Sequence, residues 1–106
     1  MENGGINLDL SRQLKTAIKS GELTFGQNQA ADACANGLAK MLIFAANCPQ
    51  SYIESLRARH PDVPMYQSEL VNRELGAACA KPFAISTICV HSEGSSELLS
   101  LQSNLD

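Results

Sequence analysis

At 106 residues the chain is long enough for one domain with a real core and too short for two. Its 44% apolar and 18% charged content excludes a disordered protein, and its longest apolar run, Met41 to Ala46, is far too short to cross a bilayer. The net charge of −3 divides into +1 over residues 1–60 and −4 over residues 61–106, which argues against an extended nucleic-acid footprint but allows a compact one.

Residues 1–7 carry no signal-peptide pattern and read as a flexible leader before a single domain over residues 8–101, with a flexible tail over 102–106. A cytoplasmic protein is expected. Asp9 can cap a helix running to about Ser20, with Leu10, Leu14, Ala17 and Ile18 on one face and Gly21 as its stop. Glu22–Phe25 reads as a short strand, and Gln27–Asn36 as an alanine-rich helix closed by Gly37. Lys40–Ala45, continuously apolar from Met41 onward, reads as a strand covered on both faces. Asn47-Cys48-Pro49 then has the form of a helix start, with Asn47 as a candidate N-cap and Pro49 near the first turn. Gln50 to His60 is the third helix, halted by Pro61.

Val63–Tyr66 gives a short strand whose Pro64 suits an edge position. Asn72 is a candidate cap for a fourth helix through Ala78. Ile85–Val90 is a β-branched run that predicts a strand, and Glu97–Leu101 a last helical turn. Strands and helices alternate through short connections, which predicts an α/β domain with helices on both faces of a small sheet.

The chemistry-bearing residues argue against catalysis. Cys34, Cys48, Cys79 and Cys89 stand far apart with no C-x-x-C pair, and His60 and His91 lie away from them. Buried, reduced thiols are expected, with no metal and no cofactor. Neither histidine has an evident nucleophile and carboxylate partner, so both are expected at the surface. Glu69 and Glu74 could pair, but Glu74 in a first helical turn more simply complements the helix dipole. No dinucleotide fingerprint is present, and no small-molecule substrate is expected.

The junction Thr24-Phe25-Gly26-Gln27-Asn28-Gln29 is more suggestive. Strand, glycine and helix start present free backbone N–H groups to an anion. The side chains that follow are amides, which can read base edges as well as phosphates. Gly26–Gln29, Ala46–Cys48, Leu70–Glu74 and Lys81–Phe83 each follow a strand or adjoin a helix end, and in an open α/β sheet such loops tend to line one crevice. They hold Asn28, Asn47 and Asn72, the cations Arg73 and Lys81, and Phe83, which could stack on a splayed base. Each also has an ordinary reading: Asn47 and Asn72 as caps, Phe83 as core, Gln27 and Asn28 as solvated.

The ordered anchors Ile18-Lys19-Ser20-Gly21, Phe25-Gly26, Ala39-Lys40-Met41, Ala45-Ala46-Asn47-Cys48-Pro49, Glu74-Leu75-Gly76 and Lys81-Pro82-Phe83 run through nearly the whole chain. In that order and spacing they resemble the archaeal and eukaryotic family of large-subunit ribosomal protein thirty, within the kink-turn RNA-binding superfamily. The resemblance implies a three-layer α/β/α sandwich with a four-stranded mixed sheet. It also implies binding to a sharply bent internal loop of ribosomal RNA that contains sheared G·A pairs.

By that resemblance Gly26 lies against the RNA backbone and Gln27 and Asn28 face the G·A pairs. Asn47 contacts RNA from the second loop, Asn72, Arg73 and Glu74 belong to the third, Lys81 lies beside it, and Phe83 stacks on a base. The implied partners are large-subunit ribosomal RNA and neighbouring ribosomal proteins, with no membrane, and a monomer when free. The chain departs from the family at Asn28, Gln29 and Asp32, where lysine or arginine is common, and at Leu70 and Ala80, which replace glycines. Two other roles fit the same residues: a kink-turn binder of another ribonucleoprotein, and a protein-interaction module that keeps the fold without RNA binding.

Overall fold

A computed structural model describes residues 10–96 and 98–100. The leader, the Asp9 cap, Glu97 and the tail over 102–106 lie outside the described residues. Helix α1 (Leu10–Ser20) turns Leu14 and Ala17 into the core, and the Gly21 N–H closes it on the Ala17 carbonyl at 2.7 Å. Strand β1 (Glu22–Phe25), helix α2 (Gln27–Ala35), strand β2 (Met41–Phe44) and helix α3 (Gln50–Arg59) follow. Strand β3 (Met65–Gln67), helix α4 (Asn72–Ala78) and strand β4 (Thr87–Ser92) complete the domain, with a 3-10 turn at Leu98–Ser100 where the last helical turn is expected.

The four strands form one sheet in the order β1-β4-β2-β3. Strand β4 is inserted antiparallel between β1 and β2, and β3 runs parallel to β2 at the far edge. Successive side chains of a strand point to opposite faces. Met41, Ile43 and Ala45 therefore meet Ile88 and Val90 beneath α1 and α4, packed with Leu14, Leu75 and Leu98. Leu42 and Phe44 meet Cys89 and Met65 beneath α2 and α3, packed with Ala30, Cys34, Ile53 and Leu56. All four residues of β2 are buried because both faces are covered. The result is the three-layer α/β/α sandwich with a mixed four-stranded sheet that the resemblance implies.

Several boundaries differ from the sequence expectation for identifiable reasons. Strand β3 begins at Met65 rather than Val63, because the Val63 N–H turns back to the His60 carbonyl and Pro64 has no N–H to give. Strand β4 begins at Thr87 rather than Ile85, because the Ile85 N–H is taken by the Asn72 carbonyl at 3.0 Å. Asn47 does not cap α3, where Pro49 occupies the capping position without a side-chain bond. Asn72 does not cap α4 either: Val71 precedes that helix, and the Glu74 carboxylate accepts its N–H at 3.0 Å.

The C-terminal end of α4 is a Schellman motif. The Lys81 N–H returns to the Gly76 carbonyl at 3.0 Å and the Ala80 N–H to the Ala77 carbonyl at 2.9 Å. The motif's left-handed position is filled by Ala80, at φ 58. An L side chain there costs roughly 1 kcal/mol relative to glycine. Ala80→Gly is therefore expected to stabilise the protein by about 1 kcal/mol, read as a higher denaturant midpoint at constant m; an unchanged or lower midpoint refutes it.

Candidate nucleic-acid interface

The sheet topology brings the suspected loops together. Strands β1, β2 and β3 point the same way and β4 opposes them, so the ends of the first three meet the beginning of the fourth. Backbone bonds join these segments in series. Gly26 N–H donates to Thr87 O at 2.9 Å, Ala45 N–H to Ser86 O at 2.9 Å, and Ala46 N–H to Leu70 O at 2.7 Å. The Asn72 carbonyl, bonded to Ile85, joins the beginning of α4 to the approach to β4.

Gly26 sits at φ 110 and ψ 157, a conformation that only glycine adopts without strain. It lets β1 turn directly into α2, which starts without a side-chain cap. The first-turn N–H groups of such a helix lack intrahelical partners. Asn28 and Gln29 are exposed there and Gln27 half-buried. Tyr52 of α3 ties the turn down, its hydroxyl donating to the Gln27 carbonyl at 2.6 Å. Burial pushes the Tyr52 phenol up to about 12, so the hydroxyl keeps its proton at neutral pH.

Asn47 and Asn72 form a reciprocal pair across two loops. Asn47 Nδ2 donates to Asn72 Oδ1 at 3.1 Å, and the Asn72 backbone N–H donates to Asn47 Oδ1 at 2.9 Å. A primary amide has two hydrogens and two lone pairs, so this pairing leaves Asn47 one of each for a further partner. Asn47 is exposed and can offer them outward.

Beyond α4 the chain folds back on that helix, and Phe83 stays at the surface, 56% exposed. The core alternative for Phe83 is therefore excluded. Phe83 lines a cleft of about 250 Å³ with Arg73, Ala77, Lys81, Pro82 and Ala84. Arg73 and Ala77 also line a second cleft of about 440 Å³, with Glu74 and Val71. Val71, 37% exposed, adds to this cleft an apolar side chain that sequence reasoning overlooked; its only signal is an apolar pair, Leu70-Val71, in a polar loop.

The charged members are partly committed elsewhere. Lys81 Nζ lies over the Phe25 ring, 5.1 Å from its centroid, and the Glu74 carboxylate is engaged at the start of α4. The end of the sheet thus combines a glycine turn, braced amides, an exposed aromatic and a mixed charge set. It is suited to shape and base-edge recognition rather than to tracking phosphates.

All four cysteines are free and buried, and burial raises each thiol, Cys79 and Cys89 to about 11. Such thiols are protonated at neutral pH and make poor nucleophiles. Among the described residues no group of three or more His, Cys, Asp or Glu could hold a metal ion, and no helix is long and apolar enough to cross a membrane. His60 and His91 are both half-buried rather than fully at the surface, and His91 Nε2 lies 3.0 Å from Thr24 Oγ1.

Residues 9–100 match the sequence pattern of the ribosomal protein L7Ae/L30e/S12e/Gadd45 family. The chain is 37% identical over 95 residues to large ribosomal subunit protein eL30 of Methanosphaerula palustris, spanning 90% of this chain and 98% of that protein. It is 36% identical over 96 residues to eL30 of Methanothrix thermoacetophila, spanning 91% and 89%. A solved structure described as a protein of unknown function from Bacillus halodurans shares the fold, with a TM-score of 0.75 at 21% identity over 87% of this chain and 93% of that one.

Proposed function

Because the chain belongs to the ribosomal protein L7Ae/L30e/S12e/Gadd45 family, we propose that it is a structural constituent of the large ribosomal subunit, without catalysis, that binds a kink-turn-like internal loop of ribosomal RNA. The observation that carries the RNA reading is the gathering, at one end of the sheet, of the Gly26 turn, the Asn47–Asn72 pair and exposed Phe83. In this reading Gly26 admits the RNA backbone, Gln27 and Asn28 meet the G·A edges, Asn47 contacts RNA from the second loop and Asn72 from the third, and Phe83 stacks on a splayed base. Arg73 and Lys81 supply local charge, and Glu74 holds the helix start that displays Arg73. Neighbouring ribosomal proteins complete the cytoplasmic particle, and the free protein is a monomer.

The test is binding to a kink-turn hairpin at moderate salt together with cofractionation with large subunits. Binding without cofractionation assigns the protein to another ribonucleoprotein, and neither result leaves a protein-interaction module. Within that assay Phe83→Ala is expected to weaken binding by about 1–3 kcal/mol through lost stacking, with melting unchanged because the ring is exposed. Equal affinity for the two proteins removes Phe83 from the site.

Asp32, exposed on α2, places negative charge along the same helix as Gln27 and Asn28. Asp32→Lys is expected to tighten binding and to steepen its fall with salt. An unchanged salt slope means that position 32 does not see phosphate.

A further inference from the structure

Gln67, the last residue of β3, bears no role in the site described so far, yet its side chain holds two loop carbonyls. Nε2 donates to the Ala45 carbonyl at 3.2 Å and to the Ala46 carbonyl at 3.3 Å, and Oε1 faces Gln50 Nε2 at 3.4 Å. The Ala46 N–H is bound to Leu70 O. The segment from β3 to α4 therefore holds Ala46 through both its N–H and its carbonyl. Asn47 comes next in the chain, and its amide is in turn paired with Asn72.

We propose that Gln67 is a positioning residue for RNA binding: it fixes the Ala45-Ala46-Asn47 turn so that the outward hydrogen and lone pair of Asn47 are aimed before RNA arrives. The inference rests on the RNA reading given above. Its chemistry requires an uncharged amide. One nitrogen with two hydrogens can serve two carbonyls, whereas a carboxylate would set negative charge against both. Holding Asn47 in advance removes an ordering cost that binding would otherwise incur. Gln67 is only half-buried, so its loss leaves the apolar layers on both faces of the sheet in place.

The test is a double-mutant cycle on kink-turn hairpin affinity, with amide hydrogen exchange measured on the same proteins without RNA. Gln67→Ala is expected to weaken binding about three- to ten-fold, the cost of immobilising one side chain, at an unchanged salt slope. Asn47→Ala with Gln67→Ala is expected to lose no more than the larger single loss. Gln67→Glu is expected to bind more weakly than Gln67→Ala. In the free protein, Gln67→Ala is expected to speed exchange at Ala46 and at Cys48, whose N–H is bonded to the Ala45 carbonyl, while β4 amides stay protected. Fully additive losses, or Gln67→Ala within about two-fold of wild type, overturn the proposal. Wild-type protein that does not bind the hairpin overturns the RNA reading instead. Exchange still judges the brace in that case, and unchanged protection at Ala46 refutes it.

Discussion

Gly26→Val is expected to abolish measurable binding to a kink-turn hairpin and to lower stability by about 1–3 kcal/mol. The cause lies in the backbone rather than in crowding. A Cβ at position 26 would meet nothing closer than Gln29 Cγ at 4.0 Å, but φ 110 is strained for any L side chain. Valine would pull the turn toward negative φ, draw the Gly26 N–H from Thr87 and swing Gln27 and Asn28 off their present line. Its methyl groups would also stand where close backbone approach requires nothing larger than hydrogen. Titration of the hairpin beside a melting curve separates the two effects, and undiminished binding by the valine variant removes the Gly26 turn from the docking surface.

Gly76→Ala is expected to destabilise the protein by about 2 kcal/mol or more, a fall of roughly 10 °C in Tm for a domain of this size. Helix propensity alone gives the opposite sign, since alanine is favoured over glycine by about 1 kcal/mol inside a helix. The packing decides it. A Cβ on Gly76 would run into the Phe83 carbonyl and crowd Ala84 Cα, both backbone atoms that cannot step aside as a side-chain end can. The shift they must make carries Phe83 with it, so hairpin binding is expected to weaken as well. A rise in Tm would show that the segment through Phe83 does not rest on α4 as described.

The two glycines illustrate how differently parts of the site could be read in advance. Gly26 stands between a β-prone and a helix-prone run, a local pattern visible without any structure. Gly76 lies inside a helix, where the amino-acid order offers no hint that another segment crosses it within contact distance. Asn47 and Asn72 show the same limit from the other side. Each has the residue type and position of a helix cap, and each is used instead to tie two loops 25 residues apart. Tyr52 and Gln67 carried no usable local signal, because their partners lie at the start of another helix and on a neighbouring loop.

By itself the sequence determined the order of helices and strands, the double-sided burial of Met41–Phe44, the reduced and buried cysteines, and the resemblance that the family match bears out. Those properties follow from periodicity, turn residues and ordered motifs, all expressed over short stretches of chain. The tertiary structure alone decided that β4 enters antiparallel between β1 and β2. It also decided that Phe83 is displayed rather than buried, that Ala80 bears a left-handed backbone, and that the loop amides brace one another. The physical reason is that these features depend on which distant segments share an end of the sheet, and strand insertion settles that after local propensities have been spent.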